Sequence, residues 1–237
     1  MLLGRVYGAL LDIVQFSDSP LSSTQTIHTY PNNFRVHKAL IAAAYTGETI
    51  TETPVEMGKS NKTPEFLKLN PFGKVPTLED GEVGIFEGNA IARYVAAKAP
   101  SAGLLGGSVV ETARIEAFLC AELSFDNQIS VVTGMIHGYV PKDQGVANLI
   151  LTKVLPSFLA GIDLALSGSE WLVGDSLTLA DIVVFAQIKR LFESLVDEEG
   201  RKPYTNVARW FTAIAGLEKV SKVVGDVKFC TEAAKVE

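Results

Sequence analysis

The chain has 237 residues, 47% of them apolar and 20% charged, enough to bury a full core in one large domain or two small ones. Lys and Arg number 21 against 27 Asp and Glu, a formal charge of −6, so the chain lacks the broad positive field of non-specific nucleic-acid binding. Its two cysteines, Cys120 and Cys230, form no CxxC, and His28, His37 and His137 show no ligand spacing, which excludes a disulfide framework and a Cys/His metal site. No HExxH, nucleophile elbow or P-loop pattern is present. Cys120 lies in an apolar stretch and reads as a buried core thiol, and this cysteine usage fits a reducing, cytoplasmic compartment.

Residues 1–25 read as an N-terminal extension. Leu3, Val6, Tyr7, Leu10, Leu11 and Val14 fall near helical spacing, but Asp12 interrupts the run and Arg5 is its only basic residue. That pattern suits neither a signal peptide nor a membrane span. The segment reads as a loosely docked tail or, alternatively, a short partner-binding amphipathic helix.

Thr26–Tyr30 reads as a strand, and Asn32 or Asn33 caps the helix that follows, which Gly47 stops. Ile50–Val55 alternates as a strand does. Thr63 caps a short helix with Pro64 at its first position. Val75–Leu78 and Val83–Phe86 read as strands joined at Asp80-Gly81, and Gly88–Lys98 as a helix. The order βαβ, short helix, ββ, α over residues 26–99 predicts an α/β thioredoxin-like domain with a mixed sheet and a right-handed crossover.

Gly73-Lys74-Val75-Pro76 leads into the third strand. A proline there cannot complete a ladder, and a cis Val75–Pro76 bond resolves the conflict by leaving the Val75 N–H and C=O free to pair with another extended backbone. Glu87-Gly88-Asn89 opens the next helix, whose free N–H groups suit a carboxylate, while the Glu87 side chain accepts from an ammonium group. One helix end thus fits both charges of an α-amino acid. The γ-glutamyl end of glutathione carries that pair.

Residues 107–225 show no strand signal and predict an all-helical C-terminal domain, joined near Ala99–Gly103. Val109 to about Ile136 is one long helix with Ala113, Phe118, Leu119, Leu123 and Phe125 as core candidates. A second runs from about Gln144 to Leu166 and should kink at Pro156. Leu177-Thr178-Leu179-Ala180-Asp181-Ile182 is a helix start. Thr178 is the cap, Asp181 reaches back to it, and Leu177 and Ile182 form a hydrophobic staple. Asp181 is therefore a structural acid. Trp210 and Phe211 read as packing residues of a further helix, and residues 226–237 as the start of a linker or tail.

Taken together, Val75-Pro76, Glu87-Gly88 and the Thr178–Asp181 cap resemble the soluble glutathione transferases. Thr29-Tyr30-Pro31-Asn32-Asn33-Phe34-Arg35, Lys38–Ala43, Ser60–Leu67, Asn89–Val95, Trp171–Gly174 and Val224–Lys228 are similar to one branch of that superfamily, the gamma subunits of eukaryotic translation elongation factor 1. The resemblance covers about Thr26 to Lys235. It implies a glutathione S-transferase fold in a subunit that scaffolds the factor's nucleotide-exchange complex. It also implies the other subunits of that complex as partners, a homodimer, no direct nucleic-acid or membrane partner, glutathione as ligand or co-substrate, and no metal.

On this reading Lys74, Val75, Pro76, Glu87, Gly88 and Asn89 bind glutathione. Family members commonly carry Ser where this chain has Gly88, so one hydrogen bond to the glutamyl carboxylate is missing, weakening binding by about 1 kcal/mol. A transferase must stabilise a thiolate against a free pKa of about 8.5. The group that does so lies just after the first strand, where Tyr30, Asn32 and Asn33 stand, with Arg35 adding positive potential. Tyr30 and Asn32 are the catalytic candidates, each with a structural alternative: strand-end packing for Tyr30 and helix capping for Asn32. The competing reading is a free-standing cytosolic transferase that conjugates glutathione to electrophiles.

Overall fold

The computed structural model describes residues 25–236; the expectations for residues 1–24 lie outside them. Four strands form a mixed sheet in the order β2-β1-β3-β4: β1 (Gln25–Thr29), β2 (Ile50–Pro54), β3 (Thr77–Asp80) and β4 (Val83–Phe86). β1 and β2 run parallel, and β3 is antiparallel to both β1 and β4. The parallel pair needs a crossover, and α1 (Phe34–Thr46) supplies it.

The first helix is bounded by its ends. Asn33 Oδ1 accepts from the Arg35 N–H at 3.2 Å, and Gly47, at φ 79°, turns the chain out while its N–H bonds the Ala43 carbonyl. The cap is thus Asn33, not Asn32. α2 (Pro64–Leu69) starts as expected, with Thr63 Oγ1 accepting from the Phe66 N–H. β3 starts two residues later than the sequence suggests, because the Val75–Pro76 bond is cis and keeps that pair out of the ladder. α3 (Gly88–Ala97) packs on α1 through Ile91, Ala92, Val95 and Ala96.

A 3₁₀ turn at Pro100–Ala102 leads to α4 (Val109–Ile136). Of its five core candidates, Leu119 and Phe125 are buried and Phe118 is half-buried, whereas Ala113 and Leu123 are exposed. Cys120 is also exposed, a correction to its reading as a core thiol. The inward stripe is Ile115, Leu119, Glu122, Asp126 and Ile129, at helical spacing, with two acids in it. Apolar residues on both sides of α4 blurred its period.

α5 (Gln144–Leu149), a π-helical turn at Ile150–Val154 and α6 (Leu155–Ala165) run on continuously. The π turn lies just before Pro156, where a kink was expected, and in it the Leu155 N–H bonds the Ile150 carbonyl. By length and composition alone this stretch could cross a membrane, with a mean hydropathy of 1.5. Its Asp163 instead caps a neighbouring helix, α9 (Thr205–Ala215), accepting from the Asn206 and Val207 N–H groups at 2.9 and 3.0 Å.

α7 (Leu179–Ser194) is the centre of the helical half and is buried along most of its length. Its start is a capping box, and the Asp181 carboxylate does more than cap. It accepts from the Thr178 N–H and hydroxyl, the Leu172 N–H and the Trp210 indole, at 2.9, 3.1, 2.9 and 2.9 Å. Burial pushes its pKa up, against the pull of those four donors. Phe211 stacks on Phe185. After α8 (Glu198–Arg201), α9 and α10 (Glu218–Val224), the chain runs back along α7, where Cys230 and Ala234 donate to the Phe192 and Ser194 carbonyls.

Candidate functional site

The sheet register assembles the site. Thr77 pairs with His28 on one side and with Phe86 on the other. Continued past the strand ends, the same register sets the turn at Val75-Pro76 between Tyr30 and Glu87, at one end of the strands. The β1–α1 turn, the turn before β3 and the opening of α3 therefore meet.

The turn before β3 is held from behind by two buried asparagines that the sequence reading passed over. Asn61 Nδ2 donates to the Gly73 carbonyl at 2.6 Å while its Oδ1 accepts from the Gly58 N–H. Asn70 Nδ2 donates to the Lys74 carbonyl and to Thr77 Oγ1, both at 2.9 Å, and its Oδ1 accepts from the Phe72 N–H. The Gly73 and Lys74 carbonyls are thus consumed internally, and the Lys74 side chain is exposed. Among the described residues, the Val75 N–H and C=O make no hydrogen bond. A half-buried backbone pair with both groups unspent suits an extended ligand strand.

Glu87 holds φ at 70°, and Asn32 at 62°. These are the two non-glycine residues with φ in the left-handed range among those described, and both stand at helix openings that flank Val75. Such backbone conformations cost about 1–3 kcal/mol and collect at ligand clamps. Glu87 is exposed and makes no capping bond, so its carboxylate is uncommitted at the α3 N-terminus.

Gly88 is buried because α1 lies against it: a Cβ there would stand 3.3 Å from both the Arg35 Cβ and the Arg35 carbonyl oxygen. The Asn89 side chain points away from the turn. Its Oδ1 accepts from Lys38 Nζ, and its Nδ2 donates to the Leu119 carbonyl and Glu122 Oε2, each at 2.9 Å. Its amide is engaged with α4, so the backbone N–H is what remains at the helix end. Tyr30 lies just outside β1 with 38% of its surface exposed, and Asn32, relieved of capping, is exposed.

Apart from Arg35, the charged groups beneath the site went unread in the sequence. Lys38 and Glu122 form an ion pair at 2.7 Å with side chains only 3% and 0% exposed. Asp126 bridges Arg35 on α1 and Arg190 on α7. Burial, and then Lys189, lower the His37 pKa. The available signal was the acidic pair Glu122 and Asp126, four apart on the apolar stripe of α4. Among the described residues no group of three His, Cys, Asp or Glu side chains is arranged to hold a metal.

The sequence matches the family "Glutathione S-transferase, N-terminal domain" over residues 23–97 and "Glutathione S-transferase, C-terminal domain" over residues 131–224. It is 38% identical over 204 residues to the probable elongation factor 1-gamma 2 of Arabidopsis thaliana, covering 85% of this chain and 49% of that one. It is 35% identical over 215 residues to the elongation factor 1-gamma of Artemia salina, covering 89% and 49%. The chain thus spans about half the length of the curated relatives it matches.

Among solved structures, the GST-like domain of elongation factor 1-gamma from Saccharomyces cerevisiae superposes with a TM-score of 0.75 over 90% of this chain and 99% of that one; at 18% identity this speaks for the fold alone. A theta-class glutathione S-transferase from Xanthomonas axonopodis pv. citri, solved with glutathione bound, superposes with a TM-score of 0.71 at 27% identity, over 85% and 97%. The chain belongs to the glutathione S-transferase superfamily, and the curated relatives it matches are named elongation factor 1-gamma.

Proposed function

We propose that the chain is the transferase-like part of a translation elongation factor 1 gamma subunit. It docks the other subunits of the factor's cytoplasmic nucleotide-exchange complex, forms a homodimer and keeps a glutathione pocket. The observation that carries the pocket is the unspent Val75 backbone set between two strained helix openings. On this reading the cysteinyl backbone of glutathione pairs with Val75, and its γ-glutamyl carboxylate meets the Gly88 and Asn89 N–H groups. Its ammonium meets Glu87, Lys74 lies beside the tripeptide, and Pro76 fixes the turn.

Gly88 accounts for a weakened site, since the hydroxyl that family members place there is absent and α1 fills the space. Tyr30 and Asn32 are the groups proposed to face the sulfur. Isothermal titration of the chain with glutathione tests the pocket, and co-purification with the other elongation factor subunits tests the docking role. Failure of both overturns the reading.

A second reading is a free-standing transferase, for which the likeness to the Xanthomonas enzyme, at 27% identity and a TM-score of 0.71, speaks. Conjugation of glutathione to a generic electrophile separates the two. Turnover that falls in Tyr30→Phe or Asn32→Ala supports an enzyme, and no turnover in the parent chain counts against one.

A further inference from the structure

The end of the sheet away from the Val75 turn gathers a second set of polar groups. Gln25 opens β1 and Asp80 closes β3, and the register that pairs Thr26 with Glu79 sets the two opposite each other on one face. Lys98 Nζ donates to Asp80 Oδ2 at 2.8 Å and to Glu48 Oε2 at 3.0 Å, and the Tyr94 hydroxyl donates to the same Asp80 oxygen at 2.9 Å. Gln25 Nε2 donates to Glu48 Oε2. The result is a chain of contacts, Gln25–Glu48–Lys98–Asp80, whose two ends face each other across β1 and β3.

Two atoms at those ends are left over. Gln25 Oε1 and Asp80 Oδ1 are buried acceptors with no hydrogen-bond partner among the described residues, and each residue is only 1% exposed. Two acceptors cannot satisfy one another, so what joins them must carry positive charge or two hydrogens.

The local electrostatics favour positive charge. Burial works to lower the Lys98 pKa, but its bonds to Asp80 and Glu48 hold it above the ordinary value, so Lys98 is charged. Burial, and then the bond to Asp80, raise the Tyr94 pKa, so the phenol is neutral. One cation thus serves two carboxylates. α1 and α3 also end here, with no basic residue in the last turn of either, and each adds the partial negative charge of a helix C-terminus. A bridging water would satisfy both oxygens but leave the negative surplus in place, whereas a cation removes it.

We propose that Gln25 Oε1 and Asp80 Oδ1, with Glu48 beside them, hold a monovalent metal cation, sodium or potassium, which ties the start of β1 to the ends of α1, β3 and α3. The ligands are hard oxygens, as such an ion prefers, and a surplus of one charge suits a monovalent rather than a divalent ion. The site stands apart from the glutathione pocket, at the opposite end of the strands.

Thermal melts of the full chain at fixed ionic strength test it, with tetramethylammonium chloride, whose cation is too bulky for a buried site, exchanged for sodium or potassium chloride. Tm should rise saturably with one of the two metal ions, by about 3–6 °C at ten times its dissociation constant. Asp80→Asn and Gln25→Met should each abolish the rise. Glu48→Gln, which removes the surplus charge and keeps the shape, should weaken the apparent affinity for the ion about tenfold.

Equal melting of the parent in all three salts, or a rise that persists in both Asp80→Asn and Gln25→Met, overturns the site. If those variants do not fold, a crystal soaked in thallium(I) decides beside the parent's salt series. An anomalous peak against Gln25 Oε1 and Asp80 Oδ1 supports the site, and no peak there overturns it.

Discussion

Replacing Asp181 tests the physical reading of the helical half. Its carboxylate is fully buried and collects four donors from three segments: the Thr178 cap, the loop at Leu172 and Trp210 on α9. Asp181→Ala strands the Thr178 and Leu172 N–H groups and the indole N–H without an acceptor. Each stranded donor costs about 1–3 kcal/mol, and losing the buried charge returns part of that, so the net loss should be about 3–5 kcal/mol. For a chain of this length that is a fall in Tm of roughly 8–16 °C.

Asp181→Asn keeps the volume and one oxygen, and should lose less. The pH dependence has a definite sign. Burial raises the folded-state pKa of Asp181 above its ordinary value, so the fold takes up this proton before the unfolded chain does. The contribution is fully present below the unfolded pKa and lost as pH rises through the folded one. The gap in Tm between parent and Asp181→Asn should therefore widen as pH is lowered from neutral. Thermal melts followed by circular dichroism across that range are the assay. A loss below about 1 kcal/mol for Asp181→Ala, or a gap that narrows in acid, would refute the reasoning.

Three further outcomes are expected. Asn70→Ala removes the donor that holds the Lys74 carbonyl and Thr77 hydroxyl, so it should lower stability by about 1–3 kcal/mol and weaken glutathione binding in the same titration; unchanged affinity would show that the turn holds its shape unaided. Lys38→Met leaves Glu122 buried and unpaired and should cost about 3–5 kcal/mol by chemical denaturation, most of it recovered in the double variant Lys38→Met with Glu122→Leu; equal losses in single and double variants would contradict the pairing. Glu87→Gln keeps the shape of the α3 opening but removes the charge offered to an ammonium group, so glutathione affinity should fall about tenfold with Tm nearly unchanged.

Local chemistry made the sheet-bearing half legible. Asn33 to Gly47, Thr63-Pro64 and the proline before β3 each act within a few residues of themselves, so their elements follow from neighbours in the chain. The Thr178–Asp181 cap was readable for the same reason, but its bonds to Leu172 and Trp210 were not. The electrostatics of the site arise over long separations: Arg35 meets Asp126 across 91 positions, and Arg190 meets it across 64. No window along the sequence holds such a pair.

The exposure of Cys120 and the burial of Glu122 have one cause. α4 carries apolar residues on both faces, so its inward side is set by what packs on it rather than by its own period. Asn89 shows the limit at the site itself. Its position at a helix opening was readable, while the direction of its side chain depended on Lys38 and Glu122.

The central claim is that the turn at Val75 still holds glutathione. A crystal structure of the chain with glutathione tests it most directly. The expected result is the cysteinyl backbone hydrogen-bonded to the Val75 N–H and C=O, with the γ-glutamyl group at Glu87 and Gly88. Glutathione bound elsewhere on the chain, or an empty turn at saturating ligand, would contradict it.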